Sequence, residues 1–434
     1  MSPGAPQLAI FCAVLISRLP AQAADWPHFL GPNYNGTSSE TNLLHEFPKE
    51  GPSKLWEYPK GAGHSAPAVS GNRAVIFHTI DDKETIDALD IVSGQRQWSF
   101  SYDAAFTSQF GSGKGPCSNP VIADGRVFTL GINSDLHCLD LATGKVLWRH
   151  VLGKEYKLLP TFFGQGGTPL VLGKSLLVSL GTDDGKSVVA FDVASGKEFW
   201  AAKHPWGSSY ASPVPATIHG RECILAFQGG MSDPPTGGLL VIDSKTGEVR
   251  SATPYRAKMY ASVSVSSPVP SGNRIFVGEA YTEGGACIEI APDLSAKIAW
   301  RAPKFDPYLV TPVPHEGHLY AFVGQHQQNA ELACCEVATG KECWRNDLGG
   351  KFQRASLLHV DGAFLCLGES GDLAWLDLSP TGARILAQTT LFHAPETWTP
   401  PVVSDGRLFV CENEVGSGGT KRGYCAMISG RNDR

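Results

Sequence analysis

Short apolar runs such as "AVIF" at 74–77 and "LLVSL" at 176–180 alternate with turns rich in Gly, Asp and Pro along most of the chain. Runs of this length between turn formers predict strands, and no helical period is visible after residue 25. The runs also repeat. "IDALDIVSGQRQW" (86–98) returns as "LHCLDLATGKVLW" (136–148) and "SVVAFDVASGKEFW" (187–200), the self-similarity expected of a repeat architecture. Each unit opens on Pro or its substitute, at Pro67, Pro120, Pro169, Pro213, Pro268, Pro312, Leu357 and Pro401. Each closes on Asp-x-x-[Ser/Thr]-Gly-x-x-x-Trp or a variant of it, at Trp98, Trp148, Trp200, Ser251, Trp300, Trp344 and Leu386, with Ser251 and Leu386 in degenerate units.

Eight openings meet seven endings, and an unassigned strand, "PSKLWEYP" (52–59) with Trp56, stands at the amino end. If that strand completes the last unit, eight four-stranded blades close into a ring without free sheet ends. The expectation is an all-β, eight-bladed β-propeller over residues 52–434. Within each blade the Ser/Thr-Gly pair forms the turn between the third and fourth strands, and Asp90, Asp140 and Asp192 accept from turn amides. Trp56, Trp98, Trp148, Trp200, Trp300 and Trp344 are expected to dock blade on blade.

Composition agrees with many strands and tight turns: 18% charged residues, 48 Gly and 30 Pro. The net charge of −6, without a basic run, gives no support to nucleic-acid binding. Residues 1–23 carry an apolar run, Leu8 to Ile16, and then Ala21-Gln22-Ala23, the pattern of a secretory signal cut near Ala23. The expected product is periplasmic or otherwise exported, with residues 24–51 as a leader and no transmembrane segment. Cys138, Cys287, Cys334 and Cys425 share a slot that holds Ala88 and Ala190 elsewhere, which reads as a small buried position. Cys334 and Cys335, adjacent on a strand, should face opposite ways.

The stretches Ala88 to Trp98 and Ala190 to Trp200, with Cys138 to Trp148 and Cys334 to Trp344, resemble the docking motif of PQQ-like (pyrrolo-quinoline quinone) propeller repeats. "DWPHFLGPNYNG" (25–36) is similar to the start of secreted bacterial members. The resemblance implies two kinds of function. One is that of BamB-type assembly factors, which hold a protein partner without catalysis. The other is that of quinoprotein dehydrogenases, which oxidise alcohols or sugars with PQQ and Ca²⁺. Glu279, Asp306, Asn413 and Arg354 are isolated candidates for the second, joined by no local spacing. The first is favoured, with no cofactor.

Loops joining one blade to the next should converge at one mouth of the axial channel, the usual propeller site. They are aromatic and basic, and His64, Asn119, Tyr210, Arg256, Tyr308, Lys351, Arg354 and Trp398 are the candidates for binding a protein, peptide or glycan. The acidic or Gly-rich tips "TIDDKET", "GTDDGKS", "GGMSDPPTGG" and "ENEVGSGGTKRG" are expected on the opposite face, as ordinary turns.

Overall fold

The computed structural model describes Met1 and residues 24–108, 115–260, 262–281, 283–324, 330–413 and 421–429. The expected signal segment and the centre of the "ENEVGSGGTKRG" tip lie outside these residues. The strands form eight antiparallel four-stranded sheets, the blades of a propeller. Blade 1 is Ala68–Ser70, Arg73–Ile80, Lys83–Asp90 and Arg96–Asp103. Blades 2 to 7 begin at Val121, Leu170, Val214, Val269, Val313 and Ala355. Blade 8 takes Val402–Ser404, Arg407–Cys411 and Arg422–Met427 from the carboxyl end and Lys54–Pro59 from the amino end, as the count of openings and endings requires.

The repeated sequence builds the same contact at successive seams. Trp98 of blade 1 donates its indole N–H to Leu141 O of blade 2 (2.9 Å), and Trp148 reaches Val193 O (3.1 Å). Trp300, Trp344 and Trp56 likewise reach Val337, Ser379 and Ile91 at 2.8–2.9 Å. The ring lies flat on the next blade's turn glycine. A Cβ at Gly144 would come within 2.6 Å of Trp98, and φ is +71° there, so the position needs Gly twice over. Asp90, Asp140 and Asp192 each accept from the amide and hydroxyl of the Ser or Thr before the Gly, which holds their carboxyls below the usual range.

Both degenerate endings have structural reasons. Next to Ser251 of blade 4, the blade 5 turn puts Leu294 at φ +69° with its side chain buried in the seam. His219 Nε2 donates to Ile290 O (2.9 Å), the carbonyl a Trp would have reached. In blade 7 the register places Ala387, next to the expected Leu386, in the Trp position, and this end adjoins blade 8, whose third and fourth strands come from opposite chain ends and therefore share no turn.

Cys334 and Cys335 enter different hydrophobic clusters, on opposite faces of their blade. One expectation is corrected. The tips at 79–85, 181–187 and 229–238 share the face of the inter-blade loops: Ala62 bridges Thr79, Leu158 bridges Thr182, and Gly229 N donates to Gly207 O. Antiparallel strands make this necessary, because turns after the second and fourth strands leave a blade at the same end.

The leader is part of the ring. Trp26 pairs with Val69 of blade 1, Pro27 O accepts from Ile122 N of blade 2, and Tyr34 OH donates to Val171 O of blade 3. The chain then pairs Thr37 with His359 of blade 7 and reaches Asp405 and Gly406 of blade 8 through Glu40. Contacts with blades 2 and 3 and then 7 and 8, all near the far ends of inner strands, carry the segment across the axis opposite the loop-bearing mouth.

Removing one docking ring should be costly and position-specific. Trp98→Ala is expected to lose about 3 kcal/mol in urea unfolding, while Ser251→Ala, at the seam already filled by Leu294, should stay within about 0.5 kcal/mol.

Candidate site at the open mouth

The residues just before the inner strands stitch the axis. Ala66 N donates to Asn119 Oδ1 (3.2 Å), Asn119 N to Thr168 Oγ1 (2.9 Å) and Thr168 N to Ser212 Oγ (3.0 Å). Ser212 N donates to Ser267 Oγ and Ser267 N to Thr311 Oγ1, both at 3.0 Å. Five bonds thus link blades 1 to 6. Asn119, expected as a ligand contact, is buried here with its side-chain oxygen engaged in the girdle.

Another arrangement links blades 7, 8 and 1. Glu369, fully buried just after the second strand of blade 7, is gripped by Arg354 through Nη2 (2.5 Å) and Nε (3.3 Å) and accepts the Trp398 indole N–H (2.5 Å). Arg354 lies 4.8 Å from the Trp398 ring centre, and His64 stacks on that ring at 5.4 Å and 20°. Burial and the positive charges of Lys60 and Lys421 lower His64 to about 4, so at neutral pH it is an uncharged ring. Trp398 N and Thr399 N both donate to Asn413 Oδ1, whose amide donates to Gly63 O (3.2 Å). The buried Lys60 ammonium donates to the Gly63 and Glu412 carbonyls. Glu412 accepts from Tyr424 OH (2.8 Å), and burial raises its carboxyl.

Blade 5 carries a parallel case. Glu279 accepts from Ser262 and Ser264 hydroxyls, with Arg256 at 3.6 Å, and Arg256 in turn donates to Ser264 Oγ and Ser262 O. Tyr210 OH accepts from Phe163 N (2.7 Å), and burial pushes its pKa up to about 12. At the rim Tyr308 stands edge-on to Tyr281 (5.9 Å), half-buried, and Lys351 is exposed. Tyr308 and Arg354 flank a narrow slot between blades 6 and 7 lined by Leu309, Val310 and Phe322.

Arg354, Trp398 and His64 therefore form one cluster. Arg256 and Tyr210 lie in the blade 3 to 5 sector, and Asn119 belongs to the girdle. Glu369, Glu412 and Lys60 were not singled out from sequence. The signal that marks the carboxylates is positional, since Gly278-Glu279, Gly368-Glu369 and Cys411-Glu412 all end a second strand. Arg354 and Arg256 are thus neutralised by Glu369 and Glu279.

With this geometry in place, relatives can be compared. A family model described as outer membrane protein assembly factor BamB matches residues 82–320, more than half of the chain. The chain belongs to this family. BamB of Xanthomonas campestris pv. campestris is 35% identical over 111 residues, 25% of this chain and 27% of that protein. Quinoprotein glucose dehydrogenase A of Acinetobacter calcoaceticus is 29% identical over 102 residues, 21% of this chain and 12% of the enzyme. Each match thus spans well under half of the relative. Among solved structures, quinohemoprotein alcohol dehydrogenase from Comamonas testosteroni superposes with a TM-score of 0.65 at 14% identity, covering 94% of this chain and 81% of the enzyme chain. BamB from Moraxella catarrhalis gives 0.59 at 12%, covering 88% and 99%. At these identities the superpositions speak for the fold alone.

The chemistry of PQQ with Ca²⁺ requires free carboxylate and amide oxygens converging on a cation, and an Arg free for the quinone. Glu279, Asn413 and Arg354 do not fit, and Asp306, the fourth candidate, is buried in the loop before blade 6. Glu279 and Asn413 accept from N–H and O–H donors that point positive ends where a cation would sit, Arg354 is held by Glu369, and the three come from blades 5, 8 and 7.

The pairing sets the cost of mutation. Arg354→Ala strands a buried carboxylate and should lose about 3 kcal/mol or more, whereas Lys351→Ala should change unfolding by no more than about 0.5 kcal/mol; equal effects would show that Glu369 is not held by Arg354.

Proposed function

We propose that this chain is a non-catalytic binding protein of the cell envelope, exported after cleavage near Ala23, that holds a protein partner on the rim of its open mouth. The observation that supports this reading is the internal pairing of Glu279 with Arg256 and of Glu369 with Arg354 and Trp398, which engages charged groups at the mouth with one another. On the rim Lys351, Met259 and Tyr260 are exposed and Tyr308 is half-buried. Aromatic edges with a nearby cation suit a protein surface or extended peptide, since they give contact area at little entropic cost. The Xanthomonas relative, described as an outer membrane protein assembly factor, supports a protein partner over a glycan. The Acinetobacter relative, described as a quinoprotein glucose dehydrogenase, favours PQQ-dependent oxidation as a second reading.

A photo-crosslinking residue at Lys351 or Tyr308, introduced in exported protein, should give discrete protein adducts that the same residue at Val92, on the far face, does not. Adducts from Val92 alone, or an equal smear from all three positions, would contradict a mouth-centred partner site.

A further inference from the structure

The far-face cap contains a buried carboxylate with no cationic partner among the described residues. Glu40 is 3% exposed. Among the described residues its oxygens accept from main-chain N–H groups alone: Ala24 (2.9 Å), Asp405 (2.6 Å) and Gly406 (3.2 Å). Among the described residues no Lys, Arg or His side chain forms an ion pair with it. A buried carboxylate held by neutral donors alone is costly, because main-chain dipoles replace only part of its lost hydration.

The identity of the first donor is informative. Ala24 follows Ala21-Gln22-Ala23, the small-x-small cleavage pattern, so the nitrogen beside Glu40 is the one that cleavage would free. We propose that a signal-peptidase-class protease hydrolyses the Ala23–Ala24 amide, and that the new α-ammonium of Ala24 pairs with Glu40 to fasten the leader to blade 8. One water is consumed. The C–N bond breaks, Ala23 leaves as a carboxylate on the released segment, and the amine of Ala24, with an ordinary pKa of about 8, takes up a proton at neutral pH. The neutral amide donor becomes a cation at the same place, with the hydrogen bond kept. Asp25 then continues directly into blade 1, where it accepts from Ser70 Oγ (2.7 Å) and Gly71 N (2.9 Å). Maturation would thereby join blade 1 to blade 8 across the start of the cap, beside the seam where the two chain ends share a sheet.

The inference rests on the export part of the proposed function and on no ligand. Its test uses the chain from Ala24 onward in three forms: with a free amine, with the amine acetylated, and with one Gly added ahead of Ala24. Each is compared with its Glu40→Gln counterpart. Acetylation, which removes the charge, and extension, which displaces it, are expected to lower Tm by about 2–5 °C, and Glu40→Gln should erase these differences. Equal Tm for all three forms, or differences that persist in Glu40→Gln, would overturn the ion pair. Amino-terminal sequencing of the exported protein tests the cleavage separately: Ala24 is expected, and any other first residue overturns it.

Discussion

The ring depends on the contact between a Trp at the end of one blade and the glycine turn of the next. A four-stranded sheet is apolar on both faces here and cannot bury either alone. The indole supplies area that covers the neighbouring turn and an N–H that satisfies a carbonyl at the seam. Because the turn residue must be in the left-handed region and must have no side chain under the ring, Trp and Gly are specified together across the seam. The exceptions obey the same constraint. Leu294 and His219 supply the volume and the hydrogen bond where Ser251 stands, and at Ala387 there is no turn to cover.

The fold was legible in the sequence because this constraint leaves its residues at fixed spacing. So was the closure by Trp56, which is a strand ending with no unit of its own. The mouth was legible only in composition. Loop residues carry no period, so nothing in the sequence says that Arg354 would pair with Glu369 instead of a ligand, or that Asn119 would serve a girdle. The same pairing was readable in principle from the Glu that ends three second strands, once repeats are aligned by structure. Placing the acidic tips on the far face was an error of topology, since strand reversal puts them beside the inter-blade loops. The cap was hidden for another reason: its contacts join residues 26–43 to inner strands throughout the chain, and no local pattern records so long a reach.

These elements make the molecule a cup. The girdle from Ala66 to Thr311 fixes the inner radius, the Arg354 to Trp398 cluster completes the wall on the blade 7 and 8 side, and the leader crosses the far end. Near the axis Arg354 and Arg256 are matched by Glu369 and Glu279, a pairing that stiffens the wall of the mouth.

The most direct test of this account is calorimetric titration of the mature chain with PQQ in the presence of Ca²⁺. With Glu279, Glu369, Arg354 and Asn413 already engaged, no saturable heat is expected. Saturable binding, joined by dye reduction with alcohols or sugars, would mean that these groups release their partners for the cofactor, and the chain would then be a dehydrogenase.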